Sequence, residues 1–518
     1  MIAHVVPVTR IRRHTNWWSY RIPAHTVCHP GSLVVISFRG HPCLGIIWKI
    51  EKDDVYAKKV LEEVLSIQPL LRTAHRQSIE WLSQTGLCSL SSALFQWLPR
   101  SFRTLPLSKK TRQLLAAHNN WKTPLQPAKQ HALLVPSHRP LQALQLTERY
   151  NQQFCQLFST STAEEELEQW LMIARGEITV GMGRERALTA PWLNLNQISV
   201  IDPEDISYYH EQIPYLNLGE AAQAIADFHN ASYCPRSYLP PSVTTTLYGP
   251  TALGKALQSP QLSFIDLRKE ELLSLNLIQT IQKTLQKNQR ILILYNAHDR
   301  LQEVKEEGKS FQKTIPGIET LAKKLARLLD LPSISPSIIL GTRSILHEQY
   351  QNIGLTIILS LDPLLNSSLF ADQLHGLSDL CHLFNYAAPC LLQTYQLDHP
   401  LVEALQSHTL ESYILTLVKE QQEHNLPPFS QQIVCSFPNS ALTLAFSPEV
   451  QALYTQLQSL SIEPWQISHP MKARWRQKVY DHILLCAPPN SRVPLAIRTL
   501  LVALPRPWKI QHNPWYLI

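Results

Sequence analysis

Along the first hundred residues, apolar positions come in short alternating stretches, at 3–8, 31–38 and 43–50, broken by Pro23, Pro30, Gly31, Gly40 and Pro42. Period two with turn residues between the runs is the pattern of half-buried strands, so a β-rich domain is expected over residues 1–104. After a polar start at Thr73, Ile79, Leu82 and Leu87 recur at roughly helical spacing, which predicts a helix packed on that sheet. Residues 105–128 are polar and carry Pro106, Pro124 and Pro127, and read as a linker. From 129 onward apolar runs alternate with longer helical patterns. Strands are expected at 131–135, 178–180 and 198–201, with a helix from about Leu141. A second block, beginning at Leu262, has expected strands at 290–295, 337–340, 355–360 and 389–394. Such alternation predicts two parallel α/β lobes, 129–260 and 261–398. A helix rich in Leu and Glu, a break at Pro427-Pro428 and an α+β tail form an expected C-terminal domain, 399–518.

Composition sharpens this picture at a few points. A chain of 518 residues with 44% apolar and 17% charged positions is globular and long enough for several domains. Its 15 glycines are less than half the ~7% usual, so glycine-rich phosphate cradles are scarce. The formal charge of +7 permits a polyanionic partner. Nine cysteines lie far apart with no CxxC pair, which reads as reduced thiols without a zinc site. No run reaches the ~18 apolar residues of a spanning helix, and the chain is expected to be cytoplasmic without a membrane partner.

Two segments imitate nucleotide chemistry. Gly249-Pro-Thr-Ala-Leu-Gly254-Lys255-Ala256 fits G-x-x-x-x-G-K but ends in Ala, which lacks the hydroxyl that ligates Mg²⁺, and Pro250 removes a backbone N–H. Its plainer reading is a turn beside a helix. Asp202-Pro203-Glu204-Asp205 follows an apolar run, where an Asp at a strand's C-terminal end can hold Mg²⁺, yet Pro203 stands where a water-polarising Glu belongs. The plainer reading there is a capped turn. His210-Glu211 and His347-Glu348 lack the second His of H-E-x-x-H, and no G-x-S-x-G occurs. Basic and aromatic residues interleave twice, in Arg10, Arg12, Arg13, Trp17, Trp18, Arg21 and again in Lys472, Arg474, Trp475, Arg476, Lys478. Cations neutralise phosphates while aromatic faces stack on bases, so the mixture suits single-stranded or branched nucleic acid. A solvated face with core tryptophans is the alternative.

Taken in order, these segments resemble the primosomal protein N′ family, the PriA-type replication restart helicases. The residues that carry the likeness are Ala3-His-Val-Val-Pro-Val, Tyr20-Arg-Ile-Pro23, Pro30-Gly31 and Leu44-Gly45-Ile-Ile for its 3′-end DNA-binding domain. Ala174-Arg-Gly-Glu-Ile-Thr-Val-Gly-Met-Gly-Arg184 and Val200-Ile-Asp-Pro-Glu-Asp205 resemble the first lobe, and Leu361-Asp-Pro-Leu-Leu-Asn366 the second. Leu397-Asp-His-Pro-Leu401, Leu426-Pro-Pro-Phe429 and Asn513-Pro-Trp515 resemble the C-terminal part. The resemblance implies a multidomain α/β chain with a β-rich DNA-binding domain, two RecA-like parallel lobes and a C-terminal α+β domain.

Departures from the family are equally informative. No Walker A loop precedes the segment 129–136, the winged-helix insert is reduced to 105–128, and cysteine-free 296–316 stands in place of an eight-cysteine zinc insert. The DEEH box has become Asp202-Pro203-Glu204-Asp205, the Ser-Ala-Thr box resembles Ser242-Val-Thr244, and Phe384-Asn-Tyr-Ala-Ala-Pro389 replaces the arginine motif. Asp202, Glu204 and Asp205 are thus a degenerate nucleotide site, and ATPase activity is expected to be lost, because phosphoryl transfer needs these parts together. In the family's pocket for a 3′-terminal nucleotide an aromatic and an Asp precede the Tyr; Trp18 and Ser19 fill those positions, with Arg39, Gly40 and Lys59 around them. Lys472, Arg474, Trp475 and Arg476 are the expected C-terminal DNA contacts. The implied function is recognition of branched or 3′-ended DNA in replication restart, with no catalytic residues and no cofactor, and with single-strand-binding or helicase-loading proteins as partners. The alternatives are an active 3′–5′ helicase, which would need ATP and Mg²⁺, and a primosome scaffold that does not touch DNA.

Overall fold

The computed structural model describes residues 1–11, 16–52, 59–136, 154–157, 162–210, 216–296, 300–306, 309–315, 317–333, 335–348, 350–367, 369–439, 445–460, 463–475, 478–489, 491–505 and 507–513. They fall into two compact units, one of residues 1–137, 145–235 and 421–518, the other of 138–144 and 236–420. The helix expected from Leu141 lies outside the described residues.

The first unit opens with a six-stranded sheet. Its strands are β1 (Ile2–Pro7), β2 (Trp18–Arg21), β3 (Leu33–Phe38), β4 (His41–Glu51), β5 (Lys59–Val60) and β6 (Glu63–Val64), in the order β5-β2-β1-β4-β3-β6. The apolar alternation divides it as expected from period two. Val6, Leu33, Val35, Leu44 and Ile46 face one core, shared with Leu82, Leu94 and Trp97 of the helices Thr73–Thr85 and Leu90–Trp97. Val5, Tyr20, Val34, Ile36 and Ile47 face the other. β3 and β4 meet in a two-residue turn, Phe38 opposite His41, with Arg39 at φ 53° and Gly40 at φ 85°. Positive φ at both central residues gives the twist that antiparallel strands need, and glycine supplies it without strain.

Within 105–128, the stretch expected to be a linker, Lys109–Asn119 form a helix whose first turn is capped by Ser108 accepting from the Thr111 amide at 3.1 Å. The α/β part of this unit has β7 (Gln130–Leu134), β8 (Phe154–Leu157), β9 (Val180–Gly183) and β10 (Leu195–Ile201) paired in parallel as β10-β7-β9-β8. A small ribbon of β11 (Tyr209–His210) and β12 (Leu216–Asn217) leads into the helix Leu218–His229, and β13 (Ser232–Arg236) then joins the sheet beside β10.

In the second unit, β14 (Leu262–Asp266), β15 (Arg290–Leu294), β18 (Ile338–Gly341), β19 (Ile353–Ile358) and β20 (Cys390–Thr394) form a wholly parallel sheet, β14-β20-β19-β15-β18. Parallel strands buried on both faces read as continuous apolar runs, which is why β15, β18, β19 and β20 were expected while β14, with only Ile265 buried, was not. Between β15 and β18, β16 (Arg300–Glu306) and β17 (Lys309–Ile315) pair antiparallel as a separate ribbon. This ribbon stands in the stretch compared with the family's zinc insert. The chain is a multidomain α/β protein with a β-rich N-terminal domain and two parallel α/β sheets.

The C-terminal strands, β21 (Gln431–Asn439), β22 (Gln466–Ile467), β23 (Met471–Trp475), β24 (Lys478–Ala487) and β25 (Lys509–His512), are antiparallel, in the order β22-β24-β21-β25 with β23 also on β24. Helices Pro448–Leu460 and Leu495–Ala503 cover this sheet, and Leu87 enters the same core from the N-terminal domain. None of the nine cysteines is in a disulfide. Burial pushes Cys88, Cys155, Cys390 and Cys435 up to about 12. Among the described residues no helix is long and apolar enough to cross a membrane.

Asn513 ties this domain to the first lobe. Its amide and side-chain oxygen exchange two 2.7 Å bonds with the Gln432 backbone, while Nδ2 donates to Glu220 Oε1 at 2.9 Å. Burial lifts the Glu220 carboxyl from 4.5 to about 7, against the lowering effect of the Asn513 bond. A folded value above the unfolded one means that its stabilisation is complete below pH 4.5 and is lost as pH rises through 7. Thermal unfolding across pH 5 to 8 is therefore expected to show a component of about 1–3 kcal/mol that disappears in Glu220→Gln. An unchanged pH profile in that variant would contradict the assignment.

Candidate nucleic-acid interface

One corner of the N-terminal sheet gathers most of the expected DNA-contacting residues. β2 pairs antiparallel with β1 and parallel with β5, which puts Tyr20 opposite Ala3 on one side and Lys59 on the other. The Tyr20 hydroxyl donates to the Ser37 carbonyl at 3.0 Å, and Lys59 Nζ donates to the same oxygen at 3.1 Å. Burial, with Cys43 and Glu62 adding negative charge nearby, raises the Tyr20 phenol to about 12, so it remains a donor. One residue on, Phe38 meets Trp18 edge to face at 4.9 Å between centroids, and the Arg39 guanidinium lies over the Phe38 ring at 5.3 Å. Trp18, Phe38, Arg39, Gly40 and Lys59 are brought together; Arg39, Gly40 and Lys59 are exposed and the two rings are half-buried.

Ser19 is not part of that corner. Successive residues of a strand point to opposite faces, and Ser19 stands opposite His4, with its hydroxyl 3.1 Å from His4 Nδ1. His4 Nε2 lies 3.0 Å from Glu51 Oε2, and Trp17, 42% exposed, lies 6.0 Å from the His4 ring. Lys49 and then His4 hold the Glu51 carboxyl below its usual range. Of the other basic residues expected here, Arg10 sits over the Phe95 ring at 5.2 Å, Arg21 is exposed, and Arg12 and Arg13 lie outside the described residues.

The C-terminal cluster is partly turned inward. Lys472 stands directly opposite Asp481 in the β23–β24 ladder; its Nζ lies 3.3 Å from Asp481 Oδ1 and donates to the Ala445 carbonyl at 2.7 Å. Asp481 is fully buried and also accepts from Asn439 Nδ2 at 2.9 Å and the Ser447 amide at 2.8 Å. Burial raises the Asp481 carboxyl, but these bonds and Lys472 outweigh it and leave it lowered. Arg474 and Trp475 close β23, opposite Val479 and Lys478; Arg476 lies outside the described residues.

The nucleotide look-alikes have structural occupations. Asp202 turns the chain after β10 at φ 50°, and the Asp205 amide donates to its carbonyl at 2.9 Å. Asp205 Oδ1 then accepts from the Ser207 amide at 2.7 Å, capping a short helical turn. Asp202, Glu204 and Asp205 are at most 5% exposed. In the second unit, Gly249 at φ 89° ends the helix Pro241–Tyr248, so the loop to Lys255 leaves a helix where a phosphate loop leaves a strand. A Cβ on Gly254 would meet Pro241 Cα at 2.5 Å, so this glycine serves close packing. Lys255 donates its amide to the Leu239 carbonyl at 2.9 Å and places Nζ 5.4 Å from the Tyr238 ring centroid. Among the described residues no group of His, Cys, Asp and Glu could hold a metal ion.

Residues 5–99 match the family described as the PriA 3′DNA-binding domain (3′BD). Over these residues the chain is similar to that domain of PriA. It is 24% identical over 193 residues to the replication restart protein PriA of Bacillus subtilis (strain 168), a match covering 33% of this chain and 23% of that relative, less than a quarter of the relative's length. Solved structures of helicases are more remote. Dbp5 of S. cerevisiae bound to RNA and ADP BeF3 is 10% identical with a TM-score of 0.34, covering 68% of this chain and 99% of that one. Lhr of Mycobacterium smegmatis bound to ssDNA and AMP-PNP is 12% identical with a TM-score of 0.32, covering 65% and 50%. Those scores are too low to carry the fold, which rests on the strand orders.

Within the PriA-type domain, the part missed by reading residues is the hub, the Ser37 carbonyl. The signal for it was the Arg39-Gly40 turn, which fixes the β3–β4 register and so places Ser37 at the strand end. Lys472 in the C-terminal domain offers a direct check. Lys472→Ala is expected to cost about 2–4 kcal/mol of stability, because it strips a buried carboxylate of its cation. Adding Asp481→Asn is expected to recover part of that loss, read as non-additivity in denaturant unfolding.

Proposed function

We propose that this chain is a DNA-binding factor of replication restart that holds branched or 3′-ended DNA and has lost ATP hydrolysis. The observation that carries the reading is the Trp18–Phe38 corner with Arg39 and Lys59 beside it, inside the domain that matches a 3′DNA-binding domain. A partly exposed aromatic ring stacks on a terminal base while the cations meet backbone phosphate, and each stacked base contributes ~1–3 kcal/mol. Binding is therefore salt-dependent, and Trp18→Ala is expected to weaken it about tenfold.

The two α/β sheets act as a scaffold in this reading. In support, Asp202, Glu204 and Asp205 are buried, with Asp205 capping a short helical turn, and the Gly249–Lys255 glycines are engaged in a helix end and a close contact. Single-strand-binding or helicase-loading proteins are the partners such a cytoplasmic factor would meet. The test pairs fluorescence anisotropy on forked DNA with an ATPase assay on the same fork. Salt-sensitive binding weakened by Trp18→Ala and no DNA-stimulated turnover are expected. Turnover abolished by Lys255→Ala would establish the helicase alternative, and absence of binding at low salt would leave a scaffold that does not touch DNA.

A further inference from the structure

We infer that the corner at Trp18 accepts a DNA end carrying a 3′-terminal phosphate at least as readily as one ending in a 3′-hydroxyl. The inference rests on the DNA-binding reading and adds to it the chemistry of the end.

Its basis is the charge and hydrogen-bonding character of the groups that converge there. Two cations are attached to consecutive residues of β3, Lys59 to the Ser37 carbonyl at 3.1 Å and Arg39 to the Phe38 ring at 5.3 Å. Each has donors to spare. An ammonium has three N–H groups and the Ser37 carbonyl takes one; stacking uses the face of a guanidinium and leaves its five N–H donors at the edge. Both side chains are exposed, so a ligand reaches them without rearrangement of the sheet.

A neutral 3′-hydroxyl is best recognised by an acceptor, and an ionised carboxylate is the strongest. The neighbour of Trp18 that would supply it is Ser19, a neutral residue whose hydroxyl is committed to His4 on the other face of the sheet. Tyr20, next along, offers a donor already spent on Ser37. Among the described residues, the carboxylate felt at the Tyr20 phenol is Glu62, which is exposed. A phosphate monoester carries about −1.5 to −2 charge at neutral pH and three acceptor oxygens, which match the unspent donors of Arg39 and Lys59. A hydroxyl uses neither charge.

The experiment compares single-strand-tailed duplexes that differ only at the terminal nucleotide, 3′-hydroxyl, 3′-deoxy or 3′-phosphate, by anisotropy at low salt with the full chain. The 3′-phosphate end is expected to bind threefold or more tighter than the 3′-hydroxyl end, and the 3′-deoxy end to match the hydroxyl. Arg39→Ala and Lys59→Ala, each with an unchanged circular dichroism spectrum, are expected to weaken both ends through the lost backbone-phosphate contact and to bring the ratio of 3′-phosphate to 3′-hydroxyl affinity down to about one. A 5′-phosphate on the same duplex is expected to add nothing. Tighter binding of the 3′-hydroxyl end, or an equal gain from a 5′-phosphate, overturns this inference alone. Failure of every end to bind overturns the DNA-binding reading with it.

Discussion

A single carbonyl oxygen, that of Ser37, accepts from both the Tyr20 hydroxyl and the Lys59 ammonium. It sits at the end of β3, one residue before the aromatic corner and two before the turn, so both lone pairs tie neighbouring strands to the same point. Tyr20 is buried and Lys59 exposed, and the anchor is therefore fixed from inside while its cationic arm faces water. Unpairing that oxygen would loosen β2 and β5 together, and with them the placement of Trp18. The exposed groups have little packing of their own; their geometry is borrowed from a hydrogen bond made behind them.

Much of the architecture was legible because burial writes itself into the pattern. Four of the five strands of the second parallel sheet were readable to within one or two residues, since a strand covered on both faces must be apolar throughout; β14, Leu-Ser-Phe-Ile-Asp with only Ile265 buried, was not. The helix Lys109–Asn119 was not. Its apolar positions are few and its surface is polar, so it reads as linker until the Ser108 cap is seen. The two-stranded ribbon β16–β17 has no apolar run long enough to announce it, and β8 is only four residues long.

At the candidate site, residue types were readable and their directions were not. Trp18 and Ser19 were grouped because they fill the two positions before the Tyr in the pocket of the resembled family, whereas here the strand turns them to opposite faces and Ser19 to His4. Lys472 was grouped with Arg474 as a surface cation. Its partner, Asp481, lies across the β23–β24 ladder, and only the register shows that the two stand opposite one another. A cation beside aromatics in sequence is as readily a counter-ion for a buried acid as a contact for phosphate. The acid that decides between them is found in space.

Gly254 extends the same lesson to motifs. It is glycine because a backbone passes within 2.5 Å of where a Cβ would be, and Gly249 is glycine because a helix ends there in a conformation that side chains resist. Each constraint acts on its own residue, with no nucleotide needed to maintain either. Two unrelated steric demands, five residues apart and followed by a lysine, can preserve the letters of a phosphate loop indefinitely. In a descendant of this chain, persistence of those letters would record the packing of one short helix, and carry no information about whether ATP had ever been bound.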